Sequence, residues 1–358
     1  MPLPLRSLAP LAAALLLDAR AAEPGFEVQQ LAPGVHALVR TEPPGFYRQP
    51  NVVVIQRDSD VVVVDALFTQ AATREAIEAI RRITPRPVRW VVNTHAHDDH
   101  ITGNQAYRAA FPGAEIVAHP ATREEVAVHG PRKREEFLTA LPSTIGFLRR
   151  LLTTGRSLGD LPITAEERAS FAGDTLLMSA YLAEAFTFRR TPPVVDVADR
   201  LSLGTAARPI EVRFLGRGHT SGDLIVHLPS ERIVIAGDLV VHPIPLVGST
   251  SHPGDYERTL AALRALRPAI VVPGHGAVLR DMGYVERLER LLATINAQAR
   301  AAAARGETLE QARRSVSLAE QRRLFAGESQ LLGHIFDNYV AGPAVARAFE
   351  EAKGGVRS

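Results

Sequence analysis

The sequence contains no cysteine, one tryptophan and three methionines, and aromatic residues make up only 6% of its 358 positions. Without cysteine the chain can form no disulfide and offers no thiol to a lipid anchor, an absence that suits an oxidising compartment without requiring one. A strong net charge is also missing, because the sequence has 41 Lys and Arg residues and 39 Asp and Glu residues. This balance of +2 gives no basis for binding nucleic acid or a membrane surface.

Long apolar runs and cofactor motifs are equally scarce. The apolar run 8–17 has about ten residues, too few to span a bilayer as a helix. The sequence shows no flavin, nucleotide or phosphate-loop motif and no internal repeat at a solenoid period. With 46% apolar residues, it is nevertheless long enough to bury a large core. These observations favour a folded globular protein.

The apolar run near the N-terminus has the features of a secretory signal. Arg6 gives a positive start, and Ala19-Arg20-Ala21 matches the small-x-small cleavage pattern. We therefore predict a signal peptide over residues 1–21, which places the mature protein in a periplasm or outside the cell, with no membrane anchor after cleavage. The alternative is an N-terminal helix that is packed or disordered.

The most informative segment is 94–100, with the sequence THAHDDH, which follows an apolar run predicted to be a buried strand. Alternate side chains of an extended chain point to one side, so His95, His97 and Asp99 share a face, and His100 follows at once. Neutral imidazole and carboxylate are ligands of zinc and related divalent ions. The segment therefore predicts a metal site, with enough ligands for two ions.

Three further candidate ligands lie downstream, each beside glycine. His219 lies in the glycine-rich segment 216–223, and Asp238 and His275 each come after an apolar strand and a glycine. Glycine lets the backbone turn sharply and approach a site closely. Loops at strand ends are also where binding residues concentrate.

The motifs THAHDDH, GHTSGD, AGD and PGHG, in this order after a strand that ends in Asp65, resemble those of the metallo-β-lactamase-fold superfamily. The resemblance covers roughly residues 26–280 and implies an α/β fold, a four-layer αββα sandwich. The chain between His100 and His219 is longer than this core needs, so about 130–190 is predicted to be a helical insertion.

A capping box at Thr164 and Glu167 is predicted to begin one helix of the insertion. The insertion either shapes the substrate pocket or serves as a packing or dimer surface. Residues 281–358 are predicted to form a C-terminal helical extension with an apolar stripe at 288, 291, 292 and 295. A second capping box lies at 308–311, and Gly342 with the following proline is expected to separate two last short helices.

The resemblance also implies a ligand set like that of glyoxalase-II-like and lactonase-like members. Asp238 would bridge two ions, and Asp65 would accept a proton from a ligand histidine and so fix its tautomer. Two Zn²⁺ ions are expected, with iron or manganese as alternatives, because nitrogen and oxygen ligands suit all three. The remaining expected ligands are His95, His97 and His219 for the first ion and Asp99, His100 and His275 for the second.

Such a site predicts hydrolysis by a bridging hydroxide, because metal binding lowers the pKa of water from 15.7 to about 7. Asp99 is the predicted catalytic residue, which would orient the hydroxide and pass a proton to the leaving group. The expected substrate is a small ester, lactone, thioester or lactam. The best-known antibiotic-degrading subclass has a cysteine at the position of Asp238 and a lysine near Val241 and His242, so β-lactam hydrolysis is one alternative among several.

Two other functional classes remain open at this point. A mononuclear iron oxidoreductase of the persulfide type would use fewer of these ligands on the same fold. A non-catalytic periplasmic binding protein would fold normally and turn nothing over. The partner is expected to be a small molecule and not nucleic acid, while the oligomeric state does not follow from the sequence. His242 and Tyr256 are candidate pocket residues, and His119 is either a pocket residue or a structural one.

Overall fold

The computed structural model describes residues 25–47 and 49–354, so the predicted signal peptide at 1–21 lies outside the described residues. Two β-sheets and twelve α-helices make up this part of the chain, together with two π-helical turns at 125–129 and 337–341. The strands are β1 (Phe26–Ala32), β2 (Val35–Arg40), β3 (Val52–Gln56), β4 (Val61–Val64), β5 (Val88–Val92), β6 (Glu115–Ala118), β7 (Val195–Asp196), β8 (Arg200–Ser202), β9 (Glu211–Phe214), β10 (Leu224–Leu228), β11 (Ile233–Val241) and β12 (Ile270–His275).

The helices lie between and after these strands. They are α1 (Gln70–Ile83), α2 (Asp98–Ile101), α3 (Asn104–Ala110), α4 (Pro120–Glu124), α5 (Gly130–Thr154), α6 (Ala165–Glu184), α7 (Pro253–Ala265), α8 (Gly283–Ala304), α9 (Leu309–Ser315), α10 (Ala319–Ala326), α11 (Gln330–Phe336) and α12 (Gly342–Ala352). No helix within 25–47 or 49–354 combines the length and the apolar character that crossing a membrane requires.

The first sheet has seven strands in the order β1 to β7, antiparallel from β1 to β4 and parallel from β4 to β7. The second has five strands in the order β12-β11-β10-β9-β8, in which only β11 and β12 pair in parallel. Apolar side chains of both sheets meet in one core, for example Val62 and Val92 against Val226 and Ile235. The sheets therefore stack face to face.

Helices cover the outer faces of both sheets. Ala76 and Ile80 of α1 and Tyr107 of α3 pack on the first sheet. Residues of α7 and α8, among them Leu260 and Leu288, pack on the second. The valines of β4 are buried on both faces, as expected for a strand between two apolar layers. The predicted αββα sandwich is confirmed.

Helix α1 illustrates how local sequence sets an element. Thr69 is the N-cap, and its side chain accepts a hydrogen bond from the backbone N–H of Ala72. Arg81 and Arg82 occupy the last turn, where cations interact favourably with the helix dipole. The helix ends at Ile83, one residue before the C-cap Thr84. Its position agrees with the apolar spacing in the sequence.

The helical insertion consists mainly of α5 and α6, and the predicted capping box of Thr164 and Glu167 begins α6. Phe171, Met178 and Tyr181 are its buried residues, whereas Leu176 is 72% exposed. Leu176 lies on the opposite side of α6 from these three buried residues.

The C-terminal extension packs on the core through α8. Leu288, Leu291, Leu292 and Ile295 are completely buried, in agreement with the predicted apolar stripe. Gly342 and its neighbouring proline do not separate two helices, as the sequence suggested, but begin α12 directly after a π-helical turn. The fold thus places a helical layer over the second sheet that continues to residue 352.

Candidate metal centre

The seven predicted ligands come from distant segments and meet at one end of the two sheets. His95 and His97 follow β5, Asp99 and His100 lie in α2, and His219 lies between β9 and β10. The last two ligands, Asp238 and His275, lie within β11 and β12. The side chains form two groups, each with one nitrogen or oxygen atom per residue within 4.8 Å of the others: His95, His97, His219 and Asp238 in the first, and Asp99, His100 and His275 in the second.

Asp238 was expected in a loop but lies in a strand with an irregular register. The pairing of β11 with β12 shifts on both sides of Gly237, which has a φ of 52°. Such bulges redirect side chains beside active sites. A Cβ atom at Gly274 would lie 1.9 Å from Oδ1 of Asp238, so only glycine lets β12 pass this close.

In the first group, Nδ1 of His97 lies 3.0 Å from Nε2 of His95 and 3.0 Å from Nε2 of His219. The Oδ2 atom of Asp238 lies 3.9 Å and 3.6 Å from the same Nε2 atoms of His95 and His219. Four ligands about 2.0–2.1 Å from a tetrahedral ion lie about 3.3–3.4 Å from one another. The observed distances, from 3.0 to 3.9 Å, lie on both sides of this edge length, so the four atoms surround a space of the size that such an ion occupies.

In the second group, Oδ2 of Asp99 lies 3.2 Å from Nε2 of His100 and 3.1 Å from Nε2 of His275. The other carboxylate oxygen of Asp238, Oδ1, lies 3.4 Å and 3.6 Å from these two nitrogens. One oxygen of Asp238 thus faces each group. Asp238 is the only one of the seven residues in a position to contact a cation in both.

A second observation also indicates that these residues can hold a divalent metal ion. Nε2 of His100 and Oδ1 of Asp238 are buried and have no hydrogen-bond partner among the described residues. Buried polar atoms are normally paired, because an unpaired one costs about 1–3 kcal/mol. A cation between them would satisfy both, and nitrogen with carboxylate oxygen is what zinc and related ions bind.

The second ring nitrogen of each histidine is held by its own partner. Such contacts orient the rings and keep the facing nitrogen available as a ligand. Nδ1 of His219 donates to the carbonyl of Leu246, and Nδ1 of His275 donates to the carbonyl of Gln49. Thr94 Oγ1 lies 3.1 Å from Nδ1 of His95, Thr250 Oγ1 lies 3.4 Å from Nε2 of His97, and Asp65 Oδ2 lies 2.8 Å from Nδ1 of His100.

Asp65 is the residue on which this orientation depends most. It has a φ of 66°, a left-handed conformation that non-glycine residues seldom adopt. Its carboxylate accepts hydrogen bonds from the backbone and hydroxyl of Thr94 and from Nδ1 of His100. Asp65 therefore connects the end of β4 to the ligand segment after β5.

We expect Asp65→Asn to lower metal affinity by about 10–100-fold, the range for loss of an outer partner of a ligand histidine. The amide keeps the size of the side chain, but its NH₂ group can face Nδ1 of His100 and favour the wrong tautomer. Competition with a zinc chelator measures the affinity. Wild-type affinity in this variant would show that the contact with His100 does not influence the site.

The charges of the cluster favour a cation. Burial, together with neighbouring histidines, lowers the pKa of His95 well below its usual value and lowers that of His97 to about 3, so both imidazoles are neutral at pH 7. Burial acts to raise the pKa values of Asp99 and Asp238, but the adjacent histidines outweigh it and hold both carboxyl groups ionised. Burial likewise opposes the charged form of His100, yet the carboxylates around it raise its pKa well above the usual value. Buried carboxylates of this kind require positive charge beside them.

An aromatic cavity of about 480 Å³ opens onto both ligand groups. Its walls include Phe46, Phe68 from the segment before α1, Phe137 of the insertion and Tyr339 of the C-terminal extension. The Tyr339 hydroxyl donates to the carbonyl of Phe46, which connects two of these walls. The sequence motifs gave no indication of this cavity, because its walls come from segments that lie far apart in the chain.

Asp98, which the sequence analysis left without a role, connects the ligand segment to the insertion. The Tyr181 hydroxyl donates to Oδ2 of Asp98 at 2.6 Å, and Arg134 hydrogen-bonds to the same hydroxyl. The Tyr181 ring stacks on Phe68 with centroids 4.3 Å apart. The insertion therefore supports the segment that carries His97 and Asp99.

A buried carboxylate likewise shapes the loop of His219. Asp223 accepts hydrogen bonds from the backbone N–H groups of Gly218 and Thr220 and from the Thr220 hydroxyl. Burial raises the pKa of Asp223 to about 6 despite the opposing effects of His219 and these hydrogen bonds. Asp223 thus holds the turn that directs His219 to the cluster.

The three weaker candidates do not line the aromatic cavity. His119 caps α4 by accepting from the N–H of Ala121 and stacks on Phe214. Tyr256 is completely buried, and its hydroxyl donates to the carbonyls of Asp238 and the next residue. His242 packs against the ring of Tyr284. Tyr256 therefore supports the backbone beneath the cluster, and the prediction of two pocket residues is wrong.

Curated proteins are similar to parts of this chain. The chain is 23% identical over 249 residues to a linear primary-alkylsulfatase from Pseudomonas sp. (strain ATCC 19151). The aligned region covers 66% of this chain and 43% of the relative. The chain is also 28% identical over 109 residues to a metallo-beta-lactamase type 2 from Bacteroides fragilis. This alignment covers 29% of this chain and 42% of the relative. The chain thus spans less than half the length of these relatives.

Solved structures share the fold. The structure of VMB-1 covers 76% of this chain and 98% of its own, with a TM-score of 0.52 and 14% identity. The mono-zinc form of FIM-1 from Pseudomonas aeruginosa covers 75% of this chain and 95% of its own, with a TM-score of 0.50 and 17% identity. Residues 45–275 match the family described as the Metallo-beta-lactamase superfamily. Since this match spans well over half of the sequence, the chain belongs to the metallo-β-lactamase superfamily.

Proposed function

We propose that the protein is an exported hydrolase that uses two zinc ions to cleave a small ester, lactone, thioester or lactam. The observation that carries this proposal is the division of the Asp238 carboxylate between the two ligand groups, with one oxygen toward each. His95, His97 and His219 would hold the first ion, and Asp99, His100 and His275 the second. Iron or manganese would suit the same donors.

When bound, such ions lower the pKa of water to about 7 and polarise the carbonyl group that is attacked. The chain contributes the orientation and the proton transfer. Asp99 lines the aromatic cavity, and its carboxylate is ionised, so it can accept a proton and return it to the leaving group.

Sulfate-ester hydrolysis is a second candidate, favoured by the names of two relatives. Besides the alkylsulfatase from Pseudomonas, an alkyl/aryl-sulfatase from Saccharomyces cerevisiae is 23% identical over 199 residues, which cover 54% of this chain and 28% of the relative. An apolar alkyl or aryl group would suit the aromatic cavity beside the cluster. The reaction would then release sulfate instead of a carboxylate.

A hydrolysis screen with measured metal content tests these proposals. Protein purified without added metal is assayed on lactams, lactones, thioesters, carboxylic esters and sulfate esters, and its metal is identified by mass spectrometry. We expect zinc and turnover in at least one class. Iron together with oxygen consumption would contradict the hydrolase and favour the persulfide-type oxidoreductase. An intact fold without turnover in any class would favour a binding protein.

The export proposal depends on residues 1–21 and has its own test. We expect the N-terminal sequence of the protein recovered from a periplasmic or secreted fraction to begin near Ala22. Recovery of the protein in the cytosol with Met1 retained would contradict export.

A further inference from the structure

A second cavity, of about 500 Å³, lies beside the metal centre and carries basic side chains. It meets the aromatic cavity at His97, Asp98, Phe137 and Thr250, which line both. We propose that this basic cavity binds an anionic group of the substrate, while an apolar group of the same molecule occupies the aromatic cavity. The inference rests on the proposed hydrolase function and adds the class of substrate.

The charges that face the basic cavity sum to a positive value. Lys133 and Arg134 of α5 and Arg347 of α12 oppose the carboxylates of Glu125 and Asp98. Three cations against two anions leave one positive charge. Two histidines also line this cavity, of which His97 belongs to the ligand cluster. Burial and the cations of Arg217 and Arg347 lower the pKa of the other, His252, to about 4, so it is neutral at pH 7.

Arg347 is the best placed of the three cations. Its Nε donates to the carbonyl of Ser251 at 2.9 Å, and its Nη1 lies 3.4 Å from a carboxylate oxygen of Glu350. Among the described residues its Nη2 has no partner. Because the Ser251 contact fixes the guanidinium and the side chain is only 18% exposed, little entropy is lost when an anion binds.

Lys133 and Arg134 complete the positive side of the cavity. Lys133 lies 2.6 Å from Glu125, and Arg134 lies 3.6 Å from Asp98 and beneath the ring of Phe188, 3.9 Å from its centroid. The Lys133 side chain is half exposed, whereas that of Arg134 is largely buried among its neighbours. The Ser221 hydroxyl, 2.8 Å from Nε2 of His252, adds a polar group to the wall.

Both cavities are bordered by π-helical turns, which are rare and occur mostly at functional sites. Glu125 of the turn at 125–129 lines the basic cavity, and Asn338 and Tyr339 of the turn at 337–341 line the aromatic one. Tyr339 and Arg347 lie beyond the residues 45–275 that match the family. The C-terminal extension is therefore part of both substrate surfaces.

The two cavities together indicate the class of substrate. The substrate carries an aromatic or alkyl group on one side of the bond that is cleaved and a carboxylate or a similar anion on the other side. In hydrolysis of such an ester, the oxygen of water bonds to the acyl carbon, the acyl–oxygen bond breaks, and one proton of water goes to the leaving oxygen. The new carboxylate remains on the acyl part.

Two esters that differ in one charge test the inference. Mono-(4-nitrophenyl) glutarate and 4-nitrophenyl pentanoate have the same leaving group and acyl length, but only the first has a terminal carboxylate. We expect the wild-type protein to have the higher kcat/KM for the glutarate. In Arg347→Met and in Lys133→Met, we expect the ratio of the two kcat/KM values to fall about tenfold, mainly through KM. A tenfold change corresponds to about 1.4 kcal/mol, which the loss of one charge-assisted hydrogen bond can account for.

Arg300→Met, on the exposed side of α8, is the matched control and should retain the wild-type ratio.

Calorimetry with 4-phenylbutyrate, which joins a ring to a carboxylate, gives a readout apart from turnover. Arg347→Met should bind 4-phenylbutyrate about tenfold more weakly than the wild type. An equal ratio in wild type and both variants overturns the inference. If neither ester is turned over, carboxylic esters are ruled out as the substrate class, while the hydrolysis screen decides the proposed function. The calorimetry then decides the inference: unchanged binding in Arg347→Met overturns it, and tenfold weaker binding supports it.

Discussion

The variant His97→Ala is expected to lose bound metal and more than about 100-fold of kcat/KM together. Nδ1 of His97 lies 3.0 Å from the facing nitrogens of both His95 and His219, so its removal opens the centre of the first ligand group. Loss of an outer partner alone costs about 10–100-fold in affinity or activity, and loss of a ligand should exceed that. Metal per chain is measured by mass spectrometry after dialysis, together with kcat/KM.

A matched control separates loss of a ligand from loss of a buried histidine. His227 lies in β10 and is buried, and its Nδ1 lies 3.3 Å from Glu211. It is not among the residues of the two ligand groups. His227→Ala should keep the metal content of the wild type. Circular dichroism should show an intact fold in both variants, because the αββα core does not depend on His97. Unchanged zinc stoichiometry in His97→Ala would contradict the ligand assignment.

The second large effect is expected for Asp99→Asn, in which kcat should fall by about 10²–10⁴-fold even at saturating zinc. General acid–base catalysis contributes that range, and the amide of asparagine cannot carry the proton. Asp99 also faces His100 and His275 at 3.2 Å and 3.1 Å, so the second ion should bind more weakly. A zinc titration that follows kcat separates the two effects, because added zinc restores binding but not proton transfer.

Asp196→Asn provides the control for this variant. Asp196 pairs with Arg123 at 2.7 Å, and both side chains are exposed. Such surface ion pairs contribute little to the stability of a protein. The Asp196→Asn variant should therefore keep the kcat of the wild type. Full turnover in Asp99→Asn with both metal ions retained would show that Asp99 is not the proton-transfer residue.

Much of the fold followed from local sequence. Alternation and valine-rich runs predicted the strands, Thr69 and the two capping boxes located helix starts, and the apolar spacing of 288–295 predicted the buried face of α8. These features depend on neighbours within one or two turns of chain. That is why they could be predicted without knowledge of the tertiary structure.

The ligand residues were predictable for a different reason. The THAHDDH segment places four metal-binding side chains within six residues, and glycine beside His219, Asp238 and His275 indicated sharp turns. The structure brings all seven residues together. The bulge in β11 that directs Asp238 was not predicted, because it depends on how β12 passes at Gly274.

The surroundings of the cluster could not be predicted. Tyr181 and Asp98 are far apart in the chain, and nothing in either local sequence indicates that the hydroxyl of one reaches the carboxylate of the other. Tyr256 has the residue type of a pocket side chain, yet the packing of α7 buries it beneath Asp238. Contacts of this kind depend on how whole helices pack, which local patterns do not determine.

The insertion and the extension both contribute to the proposed substrate surfaces. Phe137 and Lys133 come from α5, and Tyr339 and Arg347 from the C-terminal part of the chain. The sequence left the insertion open as either a pocket element or a packing surface, and the structure places it in the walls of both cavities. Specificity would then depend on segments that the shared core does not contain.

Anomalous diffraction from zinc-soaked crystals tests the central claim most directly. We expect two zinc positions, one within about 2.0–2.2 Å of ligand atoms from His95, His97 and His219, and one at the same distances from Asp99, His100 and His275. Asp238 should contact both ions. Zinc bound away from these residues, or a His219 side chain turned away from the segment 95–100, would contradict the account.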